Sequence, residues 1–241
     1  MTEVTTMSSE SPAPSRYDIR RGQLEEYFDR TAVDAWARIT SDEPVGRIRA
    51  TVRAGRDRMR ATLLSYLPDD LSGQRVLDAG CGTGALAVEA ARRGAAVVAV
   101  DVSPTLIALA EERIDLQPGE GDVRFLVGDM SDRALGTFDW IVAMDSLIHY
   151  QPADMVGVLA DLSERSRRGV AFTFAPSNPL LAMMHTVGKV FPRGSRSPDI
   201  VPVAEKKLRA RLEALPGMSL GRSERVKSGF YTSQSMELVR P

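Results

Sequence analysis

The chain has 241 residues, which is enough for one domain of ordinary size with a full hydrophobic core. Its 31 Lys and Arg residues nearly balance its 32 Asp and Glu residues, so the net charge of -1 gives no general attraction to nucleic acid or to anionic membranes. A single cysteine, Cys81, excludes an internal disulfide and is typical of a reducing compartment. No apolar run approaches the ~20 residues that a membrane span requires. We therefore expect a soluble, cytoplasmic protein, with peripheral membrane contact left open.

The N-terminal part of the chain divides into a polar tail and a helical arm. Residues 1–16 are rich in Ser, Thr and Pro and lack the apolar core of a signal peptide, so we expect a disordered tail. Residues 17–70 form the expected arm, in which a first helical pattern runs from Leu24 to Trp36 and is interrupted near Thr31. The apolar positions of a second helix follow at helical spacing: Val45, Ile48, Val52, Met59, Leu63 and Tyr66.

The second helix also carries a basic face opposite its apolar stripe. Its members are Arg49, Arg53, Arg56 and Arg60. Faces of this kind are usually solvated, and that is our expectation here. The alternative is that the face docks an acidic partner or anionic lipid.

Residues 71–241 have the rhythm of a core in which strands alternate with helices. The expected strands are Arg75–Asp78, Ala96–Val100, Val123–Val127, Trp140–Ala143, Val170–Phe174, and a closing hairpin of Ser219–Val226 with Phe230–Val239. Further helices are expected at Asn178–Phe191 and Val203–Leu215. We therefore predict an α/β, Rossmann-like, doubly wound and mostly parallel seven-stranded sheet. It would carry two N-terminal helices and a helical lid insertion, residues 177–202, after the fifth strand.

A glycine-rich loop follows the first strand, in the run Val76-Leu77-Asp78-Ala79-Gly80-Cys81-Gly82-Thr83-Gly84. Its glycines allow a tight turn and let a ligand lie against bare backbone. The loop alone also satisfies a permissive dinucleotide fingerprint, since Ala85 takes the third glycine position. The choice of cofactor therefore depends on the neighbouring strand ends.

Three carboxylates stand at three successive strand ends: Asp78, Asp101 and Asp129. Asp78 would repel a pyrophosphate but attract the ammonium of an amino-acid moiety, and Asp101 can accept both ribose hydroxyls. Asp129 could accept the adenine amino group, with Val102 and Met130 against the adenine faces. Helix capping explains a single such Asp equally well, but three together beside the loop favour a cationic ligand that carries ribose and adenine. The run from Arg75 to Phe174 resembles the class I S-adenosylmethionine methyltransferases, which implies a cofactor site formed by Asp78, Gly80, Cys81, Gly82, Asp101, Val102, Asp129 and Met130.

The loop after the fourth strand should face the reacting centre, because ligands bind beyond the carboxyl ends of parallel strands. It reads Asp145-Ser146-Leu147-Ile148-His149-Tyr150 and resembles the corresponding loop of the magnesium-protoporphyrin O-methyltransferases of chlorophyll and bacteriochlorophyll synthesis. The stretch from Met184 to Val203 is similar to the same family, as are Tyr27 to Thr31, Trp36 and Ile39.

This resemblance implies methyl transfer from S-adenosylmethionine to a propionate carboxylate of Mg-protoporphyrin IX, as part of photosynthetic pigment synthesis. S-adenosylhomocysteine would be the second product. Magnesium would enter only within the porphyrin, and we expect no metal site in the protein itself. The resemblance assigns catalysis to Tyr27 and His149, although a packing role for Tyr27 and a structural role for His149 remain alternatives.

Contacts to the porphyrin are expected from the insertion. Met184 and Phe191 would lie against the ring, while Lys189, Arg193 and Arg196 would pair with the propionate that is not methylated. The alternative for the two apolar residues is that they pack in the protein core, and the alternative for the three basic residues is that they lie in a solvated loop. The resemblance also implies a partner, the large porphyrin-binding subunit of magnesium chelatase, and a place beside the photosynthetic membrane.

Other functions remain open at this level. The chief rival is a methyltransferase for another small apolar acceptor, such as a quinone, sterol or amine. A nucleic-acid methyltransferase would require a basic surface and a base-flipping pocket, and the isoelectric point near 6.2 counts against it. A binding module that keeps the cofactor but lacks catalysis is the third possibility.

Overall fold

The computed structural model of the protein describes residues 15–30, 46–177 and 200–241. The helices in these ranges are α1 (Arg16–Arg30), α2 (Arg47–Leu64), α3 (Ala85–Arg92), α4 (Pro104–Arg113), α5 (Pro152–Arg165) and α6 (Glu205–Leu212). The strands are β1 (Arg75–Ala79), β2 (Ala96–Asp101), β3 (Asp122–Val127), β4 (Phe138–Ala143), β5 (Ser166–Phe174), β6 (Ser219–Ser228) and β7 (Tyr231–Val239). Within the described ranges, no helix combines the length and apolarity needed to cross a membrane.

The seven strands form one sheet in the order β3-β2-β1-β4-β5-β7-β6. Strands β1 to β5 are parallel, whereas β7 runs antiparallel to both β5 and β6. The predicted Rossmann-like, mostly parallel sheet and its closing hairpin are therefore confirmed. The chain reverses its winding direction between β1 and β4, and this arrangement opens a crevice beyond the carboxyl ends of these strands.

The sheet is covered on both faces, because neighbouring residues of its central strands point to opposite sides. On one side, Leu77 belongs to a core cluster that also contains residues of α5 and α6. On the other side, Val76 belongs to a cluster formed with α2 and α3, in which Met59 and Leu63 are fully buried. Of the apolar stripe predicted for the second helix, Met59, Leu63 and Tyr66 are therefore buried against the sheet, whereas Val45 lies outside the described residues.

Helix α1 begins at Arg16, well before the helical pattern that we recognised from Leu24. Its start is stabilised by a reciprocal cap, in which the Asp18 amide donates to Ser15 Oγ at 3.2 Å and the Ser15 amide donates to the Asp18 carboxylate at 3.0 Å. This Ser-x-x-Asp signal is visible in the sequence but lies within the segment we had assigned to the tail. Residues 1–14 and the predicted helical positions 31–36 lie outside the described residues.

The residues that flank the predicted insertion lie side by side. The Ser177 amide donates to Val203 O, and the Val203 amide donates to Ala175 O, both at 2.8 Å. The two ends of the segment are thus paired beside the carboxyl end of β5. Residues 178–199, which include the expected helix at Asn178–Phe191, lie outside the described residues. The next helix, α6, is shorter than the predicted Val203–Leu215.

Candidate active site

A cavity of about 650 Å³ lies beyond the carboxyl ends of β1 to β4. Its wall includes every residue that the sequence assigned to the cofactor: Asp78, Gly80, Cys81, Gly82, Asp101, Val102, Asp129 and Met130. These residues come from three different strand ends, and only the parallel order of the strands brings them together. The volume is that of a typical small-molecule site.

The glycine loop is tied to the neighbouring strand by its backbone. The amides of Gly80 and Cys81 both donate to Val100 O, at 2.8 and 3.0 Å, and the Gly82 amide donates to Asp101 Oδ2 at 2.9 Å. Gly80 has φ 82°, and a Cβ there would collide with the side chain of Ser146. Glycine is therefore required where the loop meets the turn after β4.

Asp101 shapes the loop and does not cap the following helix. Its second oxygen accepts the Ser103 amide at 3.0 Å, while Ser103 Oγ itself caps α4 by accepting the Leu106 amide at 3.2 Å. Burial raises the pKa of the Asp101 carboxyl above its ordinary value. Ser103, and not Asp101, is thus the residue that caps α4. Helix capping therefore does not explain Asp101, whose side chain lies at the cavity wall.

Asp78 is a buried carboxylate that lacks a counter-charge among the described residues. The residue is 1% exposed, and its Oδ2 accepts no hydrogen bond from any residue described. Burial, followed by the nearby charge of Asp101, raises the pKa of Asp78 to about 7. A buried acid in this state favours a cationic ligand, whose charge would stabilise the ionised form.

Helix α1 closes the cavity over the end of β3. The Tyr17 hydroxyl donates to Asp129 Oδ1 at 2.6 Å, and Arg21 Nε lies 3.5 Å from Oδ2. Burial is the main reason that the pKa of Tyr17 is raised, and its ring stacks on Tyr150 with centroids 5.1 Å apart. The Ser131 amide also donates to Asp129 at 2.8 Å. An adenine amino group at Asp129 would therefore share this carboxylate with α1.

His149 lies in the wall of the same cavity, as predicted for the loop after β4. It ends a short 3-10 turn, is 7% exposed, and has the Phe28 ring edge-on at 5.8 Å. Arg20 Nε donates to its carbonyl at 2.9 Å. A second cavity of about 280 Å³, lined among others by Ile19 and Val201, reaches His149 from outside. The imidazole thus stands between the cofactor cavity and an outer recess.

The arm contributes a tyrosine that the sequence reading did not single out. Tyr17, Leu24 and Phe28 share one face of α1 and line the cavity. Tyr27 is half-buried and packs edge-on against Phe28 with centroids 5.3 Å apart, but it is not among the lining residues. The helical spacing of 17, 24 and 28 was a signal for this face. A catalytic role for Tyr27 remains a prediction.

Part of the basic face of α2 lies at the cavity, although we expected this face to be solvated. Arg53, Arg56 and Arg60 line the cavity, whereas Arg49 is exposed. The expectation of a solvated side chain is therefore wrong for Arg56, which is 18% exposed and pairs with Asp145 at 2.9 Å. Arg53 and Arg60 are half-buried at the cavity wall. Docking of a partner on this face stays a prediction.

The predicted porphyrin contacts all fall outside the described residues. They are Met184, Lys189, Phe191, Arg193 and Arg196. Next to this segment, the Ser177 amide donates to Val203 O, and Val201 lines the second cavity.

Comparisons with known proteins identify one family that matches almost the whole chain. Residues 143–240 match the model of the magnesium-protoporphyrin IX methyltransferase C-terminus, and residues 76–169 match a general methyltransferase domain. The chain is 52% identical over 227 residues to the magnesium-protoporphyrin O-methyltransferase of Rhodobacter capsulatus, covering 93% of this chain and 98% of that protein. It is 30% identical over 220 residues to the chloroplastic magnesium protoporphyrin IX methyltransferase of Arabidopsis thaliana, covering 90% and 70%.

A solved structure agrees with these relatives. The magnesium protoporphyrin IX methyltransferase of Synechocystis PCC 6803 with bound SAH superposes with a TM-score of 0.78 and 27% identity, covering 91% of this chain and 99% of that one. The similarity therefore includes the sheet, the cavity and the closing hairpin, well beyond the glycine loop. With one relative more than half identical along almost its whole length, the chain belongs to the family of magnesium-protoporphyrin O-methyltransferases.

Proposed function

We propose that the protein transfers the methyl group of S-adenosylmethionine to a propionate carboxylate of Mg-protoporphyrin IX and forms the monomethyl ester used in (bacterio)chlorophyll synthesis. The observation that carries this proposal is the 52% identity to a relative named for this reaction, over 98% of its length. The cavity at the strand ends supports it, since the carboxylates of Asp78, Asp101 and Asp129 in its wall fit a cationic adenine nucleoside. Mg²⁺ is part of the substrate in this reaction.

The residues present fit S-adenosylmethionine, whose sulfonium supplies an electrophilic methyl group. The buried Asp78 would hold the ammonium, and Asp101 would accept the ribose hydroxyls while it keeps the Gly82 amide in place. Val102 and Met130 offer apolar surfaces for the adenine, and Asp129 can accept its amino group. The remaining assigned contacts, Gly80, Cys81 and Gly82, provide backbone that a ligand can approach closely.

The acceptor requires placement more than activation. A propionate resembles a Glu side chain, whose pKa is about 4.3, and is already ionised at neutral pH. No general base is therefore needed. Attack by an anion on a cation neutralises charge, so a site that excludes water favours the reaction, and the buried His149 beside Phe28 forms such a wall. We assign His149 and Tyr27 to holding the carboxylate in line with the methyl group.

Cofactor affinity should depend on pH through Asp78. With a pKa of about 7 in the free protein, this carboxyl is mostly protonated at pH 6 and mostly ionised at pH 8. A cation binds the ionised form, so binding at pH 6 must first release a proton. We expect the affinity for S-adenosylhomocysteine to be about tenfold weaker at pH 6 than at pH 8. Titration calorimetry in buffers of different ionisation enthalpy measures both the affinity and the released proton.

An Asp78→Asn variant is the control for this dependence. It should bind more weakly at pH 8 and show a nearly flat profile between pH 6 and pH 8. The matched variant Asp122→Asn changes an exposed carboxylate at the start of β3, at the opposite end of the sheet. It should behave as the wild type does. A pH profile that stays unchanged in Asp78→Asn would remove the assignment of Asp78.

The reaction itself is tested with S-adenosylmethionine that carries a labelled methyl group. Parallel reactions contain Mg-protoporphyrin IX, metal-free protoporphyrin IX, or a quinol acceptor. We expect a labelled porphyrin ester with the magnesium substrate. Absence of ester with both porphyrins would reject the porphyrin proposal, and label on the quinol would favour the rival small-molecule function. Cofactor binding without turnover on any acceptor would favour a binding module.

Exposed apolar side chains lie near the second cavity. Such a surface suits a poorly soluble substrate that another protein delivers directly to this one. Ile19, which is 51% exposed, lines the recess that also contains His149, and Ile200, which is 43% exposed, comes directly before Val201 of the same recess. We propose that this side of a cytoplasmic protein meets the large subunit of magnesium chelatase, in peripheral contact with the photosynthetic membrane. The predicted contacts Met184, Lys189, Phe191, Arg193 and Arg196 would adjoin it. Co-sedimentation with anionic vesicles, at low and high salt, tests the membrane contact.

A further inference from the structure

Asp145, the first residue of the loop that carries His149, has an unusual backbone. Its φ of 54° makes it the one non-glycine residue with positive φ among residues 15–30, 46–177 and 200–241. Such a conformation costs free energy for a residue with a Cβ and persists where surrounding contacts enforce it. Here the Asp145 amide donates to Thr173 Oγ1 on the adjacent strand β5 at 2.7 Å.

The Asp145 carboxylate joins three separate parts of the fold. Its Oδ2 accepts Arg56 Nη1 of α2 at 2.9 Å, and its Oδ1 accepts the Thr173 hydroxyl of β5 at 3.2 Å. The Tyr231 hydroxyl of β7 lies 3.1 and 3.2 Å from the two oxygens, and the Ser233 hydroxyl lies 3.4 Å from Oδ1. The side chain is only 4% exposed. Its contacts are therefore poorly replaced by water.

Helix α2 and the closing hairpin are themselves fitted together around this point. A Cβ on Gly55 would lie 2.9 Å from both Cβ and Cγ of Tyr231, so α2 approaches the tyrosine as closely as a glycine allows. The Ser228 hydroxyl donates to Thr51 O at 2.7 Å, one turn earlier on the helix. Arg56 and Tyr231 consequently reach Asp145 from two elements, α2 and the closing hairpin, that are closely packed against each other.

The conformation of Asp145 sets where the following residues go. Ser146 comes directly after it and lies against Gly80 of the cofactor loop. The turn then continues to His149, where Arg20 holds the His149 carbonyl and the Val201 amide holds Ile148 O at 2.8 Å. The acceptor loop is thus held at its start by Asp145 and at its end by α1 and the 200–203 segment.

We propose that Asp145 is a positioning residue, which places His149 for the acceptor through the contacts of its carboxylate with Tyr231 and Thr173. This inference rests on the proposed function, since it gives His149 the task of holding the acceptor carboxylate. Tyr231, Thr173 and Ser233 are not part of the described cavity wall, whereas Asp145 is. A change of the Tyr231 or Thr173 hydroxyl therefore acts on the cavity indirectly, through the Asp145 carboxylate that each of them contacts.

The test removes one hydroxyl behind the cavity wall. Tyr231→Phe should lower kcat for Mg-protoporphyrin IX about tenfold, since small displacements of reacting groups have large effects on rate. The KM for S-adenosylmethionine and the affinity for S-adenosylhomocysteine should stay within about twofold, because the cofactor contacts remain. Thr173→Val, which removes a second contact of the same carboxylate, should act in the same direction.

Tyr66→Phe is the matched control. Its hydroxyl lies 2.7 Å from the Oγ of Ser235, a residue of the same strand β7, and this hydrogen bond is buried. The hydrogen bonds found for Asp145 within the described residues do not include Tyr66. This variant should lose comparable stability but keep kcat. Full kcat in both Tyr231→Phe and Thr173→Val, or an equal loss in Tyr66→Phe, would overturn the proposal.

A spectroscopic measurement tests the placement without turnover. The chain has two histidines, so protein labelled with ¹³C and ¹⁵N in histidine shows two imidazole signals, and a His149→Gln sample identifies that of His149. Tyr231→Phe should shift this signal and Tyr66→Phe should leave it in place. An unmoved signal in Tyr231→Phe would overturn the proposal. If the wild-type protein did not transfer the methyl group at all, the proposed function would be rejected. That result differs from an unmoved His149 signal, which would reject only the positioning role of Asp145.

Discussion

The His149→Phe variant is expected to lose about 100-fold in kcat with Mg-protoporphyrin IX while its affinity for S-adenosylhomocysteine stays within about twofold. The side chain is buried between the cofactor cavity and the outer recess, and Phe has a similar shape without the ring nitrogens. The loss would therefore report on holding the acceptor, with little contribution from packing. Steady-state kinetics in both substrates and calorimetric titration of the cofactor product measure the two effects.

His149→Gln separates hydrogen bonding from other roles of the imidazole. Glutamine keeps a nitrogen donor, so this variant should recover part of the turnover that phenylalanine loses. Thermal unfolding of both variants checks that the loop after β4 stays folded. Unchanged kinetics in His149→Phe would remove His149 from the acceptor site, and a matching loss of cofactor affinity would move its role to the cofactor.

The second large effect concerns the carboxylate at the end of β2. Asp101→Ala should weaken the binding of S-adenosylhomocysteine by about 100-fold, because the proposed contact of the ribose hydroxyls with a charged carboxylate, worth about 1.5–3 kcal/mol, is lost. The bonds from the amides of Gly82 and Ser103 to Asp101 are lost as well. Their loss loosens the glycine loop against which the ligand would lie. Calorimetric titration at pH 8 measures the change.

Asp122→Ala is the control for this variant. This carboxylate lies at the amino end of β3, on the side of the sheet away from the cavity, and is exposed. It should bind as tightly as the wild type. If Asp101→Ala kept its affinity within about twofold, the ribose assignment and the supporting role of Asp101 in the glycine loop would both be wrong.

The sequence predicted which strand-end residues meet around the cavity. A parallel sheet places the carboxyl ends of its strands at one edge, so Asp78, Asp101 and Asp129 were expected to meet as soon as the strands were recognised. All three line one cavity in the structure. Their meeting could be predicted because it depends on strand ends and on local chain geometry, which short sequence patterns encode well, whereas their contacts with the cofactor stay a prediction.

The arm and the acceptor side were predicted less completely. Tyr17 reaches Asp129 across more than a hundred residues of sequence, and α2 brings Arg56 to Asp145. Neither contact has a local signal, because each depends on how a helix packs on the finished sheet. The sequence accordingly did not show that Arg56 is buried against Asp145, although the spacing of the basic face had been recognised correctly.

The sequence by itself therefore determined the class of fold, the cofactor and, through family resemblance, the acceptor. Tertiary structure decided which side chains meet at the reacting centre. Only the folded chain shows that Asp145 takes a left-handed backbone conformation and that its carboxylate joins α2, β5 and β7. The physical reason is that periodicity and turn chemistry act over a few residues, whereas these contacts form between elements far apart in the chain and require the packed core to hold them.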